Sequence, residues 1–266
     1  MDQYKSQTTL SFERGVRQTQ EQNLLIEDPL AIHVEGEPYS VVMRTPGEEI
    51  FHVAGFCLAE GLVDHPDDFT SIGHCADMDA NVVYVTLKPE RRKKIAPLLK
   101  RKSFVSQTSC GICGKTLIDD LCQALSPITD NKTLSVEAML KCANTLFENQ
   151  HLYQKTFASH GVVLFDSQST PIFIAEDAGR HNALDKAIGK AFMNNNLKAV
   201  YLAVLSSRIS YELVQKAARA KIPIIIGMSQ PTTLAIELGK SVNMTIASYK
   251  RERLSFFCGE ERIYGG

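Results

Sequence analysis

The stretch Val200-Tyr201-Leu202-Ala203-Val204-Leu205-Ser206-Ser207-Arg208-Ile209-Ser210 decides the fold. Its first six residues form a continuous apolar run of strand length, which suits a strand buried on both faces. A hydroxyl-rich turn follows, then a helix pattern over 210–220. A strand over 222–227, a helix over 232–240 and a strand over 244–247 continue the alternation. That order predicts a largely parallel sheet with helices on its faces. Upstream, 161–165 and 171–175 read as two strands joined by a hairpin loop, and 183–193 reads as the helix after them.

Ligands of such sheets bind beyond the carboxyl ends of the strands. Three polar segments leave those ends, 176–182, 206–210 and 228–232. The first packs Glu176, Asp177, Arg180, His181 and Asn182 into seven positions, and Asp177, Arg180, His181 and Asn182 are expected ligand contacts. Asp177 is an expected N-cap of the next helix. Arg180 and His181 suit recognition of a phosphate or carbonyl, and Asp185 and Lys186 lie one turn on. The second segment carries Ser207 and Arg208, and the third carries Ser229 ahead of Pro231. Hydroxyls and free N–H groups at two adjacent helix starts point to a phosphate-bearing ligand such as a nucleotide. Neither a Rossmann fingerprint nor a Walker loop is present. His160 reads either as a loop histidine or as a site residue.

The first hundred residues have a different grammar. Residues 1–22 are polar and predict a loose arm or an edge element. Strands over 31–35 and 39–44 flank a Gly36-Glu37-Pro38 turn. Thr45-Pro46-Gly47-Glu48 then predicts a helix start, with Thr45 as N-cap and Glu48 closing a capping box, and Gly61 as the stop. Strands over 71–76 and 82–87 complete an α+β region with a helix on a small antiparallel sheet. From Lys88 to Lys102 the chain is basic, which reads either as a solvated helix face or as an electropositive collar for an anionic ligand or acidic partner. Helices are expected over 116–122 and 135–149.

Between these regions lies Ser109-Cys110-Gly111-Ile112-Cys113-Gly114-Lys115, the one close pair among seven cysteines. A predicted helix start and Lys115 both favour a thiolate there. A structural zinc site would need a second such pair, and the remaining cysteines are scattered singly. A redox dithiol, a single-thiol sulfur or acyl carrier with a helper cysteine, and two buried cysteines serving as small apolar residues stay open. His33-Val34-Glu35 is a chance match to a zinc-deaminase pattern, because Ser109 stands where that pattern has proline.

At 266 residues and 44% hydrophobic, the chain can bury one large core or two smaller ones. A net charge of −1 excludes a globally basic nucleic-acid binder. The apolar runs are too short to span a bilayer, and the Met1-Asp2-Gln3-Tyr4-Lys5 start lacks an apolar signal region. An odd cysteine count without disulfide-like spacing fits the cytoplasm. No nucleic-acid and no membrane partner is therefore expected.

Taken together, TPGEE with GFCLAEG, SCGICGK, AEDAGRHNALDKAIG, SSRISYELVQKA, GMSQPTTLAIEL and the tail from Phe257 to Arg262 resemble the FdhD family, accessory sulfurtransferases of formate dehydrogenase. The likeness spans about Leu30 to Tyr264. It implies a smaller N-terminal α+β domain over 1–105, followed by a cytidine-deaminase-like three-layer α/β domain over 106–266 that carries the CxxC loop, often as a homodimer. It also implies sulfur carried as a persulfide from a cysteine desulfurase to the molybdenum (or tungsten) bis-molybdopterin guanine dinucleotide cofactor, which GDP can mimic. By position Cys110 matches the persulfide cysteine, Cys113 is its neighbour, and Phe257, Cys258, Gly259, Glu260, Glu261 and Arg262 match the cofactor-binding tail. This tail departs from the more basic family pattern at Glu260 and Glu261, and in having Cys258. A non-catalytic chaperone for the cofactor, or a dithiol oxidoreductase, is the alternative.

Overall fold

The structure, a computed structural model, describes residues 2–74, 80–96, 99, 125–130 and 132–265. Cys110 and Cys113, the expected helix over 116–122 and the end of the basic run lie outside the described residues.

Residues expected as a loose arm instead form a regular hairpin of β1 (Tyr4–Glu13) and β2 (Val16–Leu25), in register from Tyr4 opposite Leu25 to Glu13 opposite Val16. Arg14 and Gly15 both take positive φ, 48° and 84°, a two-residue turn whose twist matches that of the strands. Next come β3 (Asp28–Val34) and β4 (Glu37–Arg44), turned at Glu35-Gly36, one position before the expected turn. With β5 (Phe69–Gly73) and β6 (Val82–Leu87) they form a four-stranded sheet in the order β4-β3-β6-β5. This sheet is mixed rather than antiparallel, because β3 and β6 run parallel across the intervening α1 (Glu49–Ala59).

α1 starts three residues later than its capping pattern predicts. Glu48 sits in the left-handed region at φ 65°, and no side chain caps the helix. The basic run forms α2 (Pro89–Lys94). There Arg91 is buried: it donates to Leu62 and Gly61 carbonyls and pairs with Asp64. Arg92 pairs with Glu35 and Lys94 with Asp64, so these cations are already matched.

After β7 (Leu134–Ser135), Ser135 caps α3 (Val136–Asn149) by accepting from the Ala138 N–H. The short α4 (His151–Thr156) leads to the main sheet. Its strands are β8 (His160–Phe165), β9 (Pro171–Asp177), β10 (Leu202–Leu205), β11 (Ile224–Gly227), β12 (Thr245–Lys250) and β13 (Arg253–Cys258). They lie in the order β13-β12-β11-β10-β8-β9, and β14 (Ile263–Tyr264) pairs with β7. Only β10, β11 and β12 are mutually parallel; β8 opposes both β9 and β10, and β13 opposes β12. The sheet is therefore mixed, not largely parallel, because short hairpins cannot join parallel neighbours.

The helices α5 (Arg180–Met193), α6 (Tyr211–Arg219) and α7 (Thr233–Ser241) share an apolar cluster with Val162, Leu164, Ala203 and Ile225 of the sheet. The alternate residues Val163, Phe165, Leu202 and Val204 face α3 instead. The first cluster runs on through α1 into Leu30, Ile32 and Val83 of the small sheet. α1 and α5 cross at glycines. A Cβ on Gly55 would lie 2.0 Å from the Asp185 carbonyl oxygen, and one on Gly189 would lie 1.8 Å from that of Phe51. Among the described residues no helix is long and apolar enough to cross a membrane.

Candidate functional site

The carboxyl ends of β9, β10 and β11 meet at one edge of the main sheet, with the start of β8 between β9 and β10. The three polar segments expected to leave this edge do so. Gly227 keeps two of them close: a Cβ there would meet the Ile209 side chain at 2.8 Å, the Ser207 carbonyl at 2.9 Å and the Ser229 carbonyl at 3.1 Å.

Asp177 does not cap α5; Gly179 occupies that position. The Asp177 carboxylate is fully buried and accepts from the backbone N–H groups of Thr45 (3.0 Å) and Gly179 (2.8 Å) and from Asn182 Nδ2 (2.9 Å). Lys186 Nζ pairs with it at 2.7 Å and donates to the Thr45 carbonyl at 2.8 Å. Thr45 Oγ1 accepts from the Ala178 N–H, and Asn182 Nδ2 donates to the Met43 carbonyl. Thr45 is thus spent on this turn, which is why it leaves α1 uncapped. Asp177 and Asn182, singled out in the sequence as ligand contacts, hold the turn in shape from behind.

Arg180 and His181 follow directly. Arg180 Nε is buried without a hydrogen-bond partner, and burial, with Arg208 beside it, pushes the guanidinium pKa down. Among the described residues neither Arg180 nor Arg208 forms an ion pair. His181 Nε2 lies 3.4 Å from Ser210 Oγ and 3.9 Å from Glu212, whose carboxyl that histidine holds at about 2. Arg180 thus feels Arg208 as a like charge and Glu212 as an opposite one, and Glu212 is already engaged by His181. Ser207 is buried and donates to the Arg208 carbonyl, whereas Arg208 and Ser229 are exposed.

His160 belongs to this edge and is not a loop histidine. It opens β8 opposite Asp177, with Nδ1 3.2 Å from Ser206 Oγ. Ser206 Oγ accepts from the Gly161 N–H at 2.9 Å. Burial first, then Arg180 and His181, push the His160 pKa down. The available sequence signal was its place at the mouth of an apolar strand.

The tail lies elsewhere. Cys258 pairs with Ile246 near the start of β12, and its buried thiol donates to the Met244 carbonyl at 3.3 Å. Phe257, Cys258, Gly259, Glu260 and Glu261 line a cleft of about 400 Å³ with Lys240, Asn243 and Met244. Arg262 is buried and donates to the Asp130 carbonyl at 3.1 Å, and it pairs with Glu261 at 3.3 Å. This cleft sits at the amino ends of β11 and β12, about 10 Å along the strands from the Arg180 edge. The tail and the Arg180–Ser229 group, both expected to bind the cofactor, are not brought into one cleft. His33 packs against the Tyr84 ring, and Glu35 accepts from the Leu87 N–H.

Known proteins share this chain's pattern. A sulfur carrier protein FdhD of Nocardia farcinica is 35% identical over 247 residues, covering 90% of this chain and 88% of that one. One of Streptomyces coelicolor is 31% identical over 258 residues, covering 94% and 92%. The crystal structure of a protein from Desulfotalea psychrophila, titled as a formate dehydrogenase accessory protein, shares the fold with a TM-score of 0.78 at 22% identity, covering 99% of this chain and 100% of that one. Residues 25–264 match the FdhD/NarQ family, and with relatives at 35% and 31% identity the chain belongs to that family.

Proposed function

We propose that this chain carries sulfur as a persulfide on Cys110 and delivers it to the molybdenum (or tungsten) bis-molybdopterin guanine dinucleotide required by formate dehydrogenase. A cysteine desulfurase is the donor, the cytoplasm the setting, and a homodimer with a cytidine-deaminase-like second domain the assembly. The names of its relatives support the sulfur-carrying part. The observation that carries the ligand part is the Arg180–Arg208 pair, in which Arg180 Nε is buried without a partner and Arg208 adds a like charge beside it. Such a pair suits a diphosphate, with Ser229 and the start of α7 beside it.

The chemistry needs a nucleophilic thiolate. Cys110 attacks the outer sulfur of the donor's persulfide; the donor's S–S bond breaks, its thiolate leaves, and a new S–S bond forms on Cys110. Attack of Cys113 on the Cys110 sulfur would then free the outer sulfur as hydrosulfide and leave a Cys110–Cys113 disulfide, with both electrons supplied by the two thiols. Incubation with a cysteine desulfurase and cysteine should add the mass of one sulfur atom to the peptide bearing Cys110, read by mass spectrometry. No adduct alongside intact nucleotide binding would leave a cofactor chaperone instead. For the ligand, Arg180→Ala should weaken GDP binding by about 2 kcal/mol, roughly thirtyfold, in a calorimetric titration. Unchanged affinity would remove this edge from the binding site.

A further inference from the structure

Neither the family match nor the relatives' names assign a role to His160. We propose that His160 is a ligand-binding residue of this edge that takes up a proton when a phosphate-bearing anion reaches the Arg180–Arg208 pair, so that binding strengthens as pH falls. The inference rests on reading this edge as the nucleotide-phosphate site.

Among the described residues, the charged groups that act on the imidazole have defined positions. From β9, Asp177 lies opposite His160 and favours the charged ring, but its carboxylate is also bound by Thr45, Gly179, Asn182 and Lys186, and its pull is outweighed. Glu176 turns away, accepting from the Leu152 and Tyr153 N–H groups and from Ser159 Oγ. From α5, Arg180 and His181 oppose a second positive charge, and Glu212 of α6 is taken by His181. In the free protein the balance disfavours the imidazolium. An arriving dianion reverses it, since an opposite charge within a few ångströms favours the protonated ring. Ser206 makes the change possible without an orphaned group. Its hydroxyl can donate to a neutral Nδ1, or accept from a protonated one while still accepting from the Gly161 N–H. Only the hydroxyl hydrogen has to turn.

The sign follows from linkage. The bound-state value lies above the free one, so the added affinity is complete below the free value and is lost as pH rises through the bound one. The free value is lowered from the ordinary histidine value, so the window opens below that value and extends upward to the bound one.

The test is calorimetric titration of the full chain with GDP near pH 7, in buffers of differing ionisation enthalpy, which counts protons exchanged. Wild type should take up a measurable fraction of a proton more than His160→Gln. Its Kd should rise with pH, by up to about tenfold per unit, more steeply than the variant's. The terminal phosphate of GDP also titrates, but equally in both proteins, so the difference reports His160. His181→Gln should bind more weakly yet retain the extra uptake. Equal proton counts in wild type and His160→Gln, with GDP bound to both, would overturn the inference while leaving the nucleotide reading standing. No GDP binding at any pH would overturn both.

Discussion

Gly189→Ala is expected to lower the melting temperature by roughly 10 °C, through a loss on the order of 3–5 kcal/mol. The added Cβ would sit 1.8 Å from the Phe51 carbonyl oxygen and 2.9 Å from the Gly55 nitrogen, both backbone atoms of α1. No rotamer change relieves a contact with backbone, so α1 and α5 must move apart by more than an ångström. That separation loosens the packing of Ala54, Leu58, Ala187 and Ile188, all buried in the same cluster. Gly73→Ala is the matched control: nothing lies within 4 Å of its Cβ, and its backbone is not in the left-handed region. A Gly189→Ala protein melting with the control would show that the helices do not cross this closely.

Cys110→Ala should abolish formate dehydrogenase activity in cells that depend on this chain, while the molybdopterin content of the dehydrogenase stays near normal. The buried cysteines argue for so complete a loss. Burial pushes the Cys57 thiol up, that of Cys142 up to about 11, and that of Cys258 up as well. A protonated thiol is a poor nucleophile, so none of these can replace a loop thiolate. Activity assays and cofactor analysis of the purified dehydrogenase decide it. Activity retained in the mutant would remove Cys110 from the chemistry. Loss of both activity and cofactor would favour a chaperone role.

The strands β8, β10 and β11 were legible because buried strands write themselves as unbroken apolar runs ending in polar turns. β13 was not, because its hairpin turns at Arg251 and Glu252, at φ 51° and 59°, without the glycine or asparagine that usually marks such a turn. The hairpin of β1 and β2 was hidden by Gln and Thr, which give little apolar alternation. Thr45-Pro46-Gly47-Glu48 was misread for a more general reason. Capping is a local pattern, and here a distant turn took the same threonine: Ala178, 133 residues away, donates to its hydroxyl, and Asp177 accepts its backbone N–H. Arg180, His181, Ser207, Arg208 and Ser229 were expected as ligand contacts from their composition and place after strands, and the structure puts their segments at the carboxyl edge of the main sheet. That Arg180 Nε is left without a partner needed the folded structure, and that His160 joins this edge needed the antiparallel register of β8.

The buried bonds among Met43, Thr45, Asp177, Asn182 and Lys186 also have an energetic meaning. Any local unfolding that peels β4 from this turn strips Asp177 and Lys186 of partners and releases the segment bearing Arg180. Opening of the small sheet and loss of the proposed anion site would thus be one event. By mass action, a ligand at a hundred times its Kd would oppose that opening by about 2.7 kcal/mol. A ligand at the proposed site would in this way stabilise strands that it does not touch.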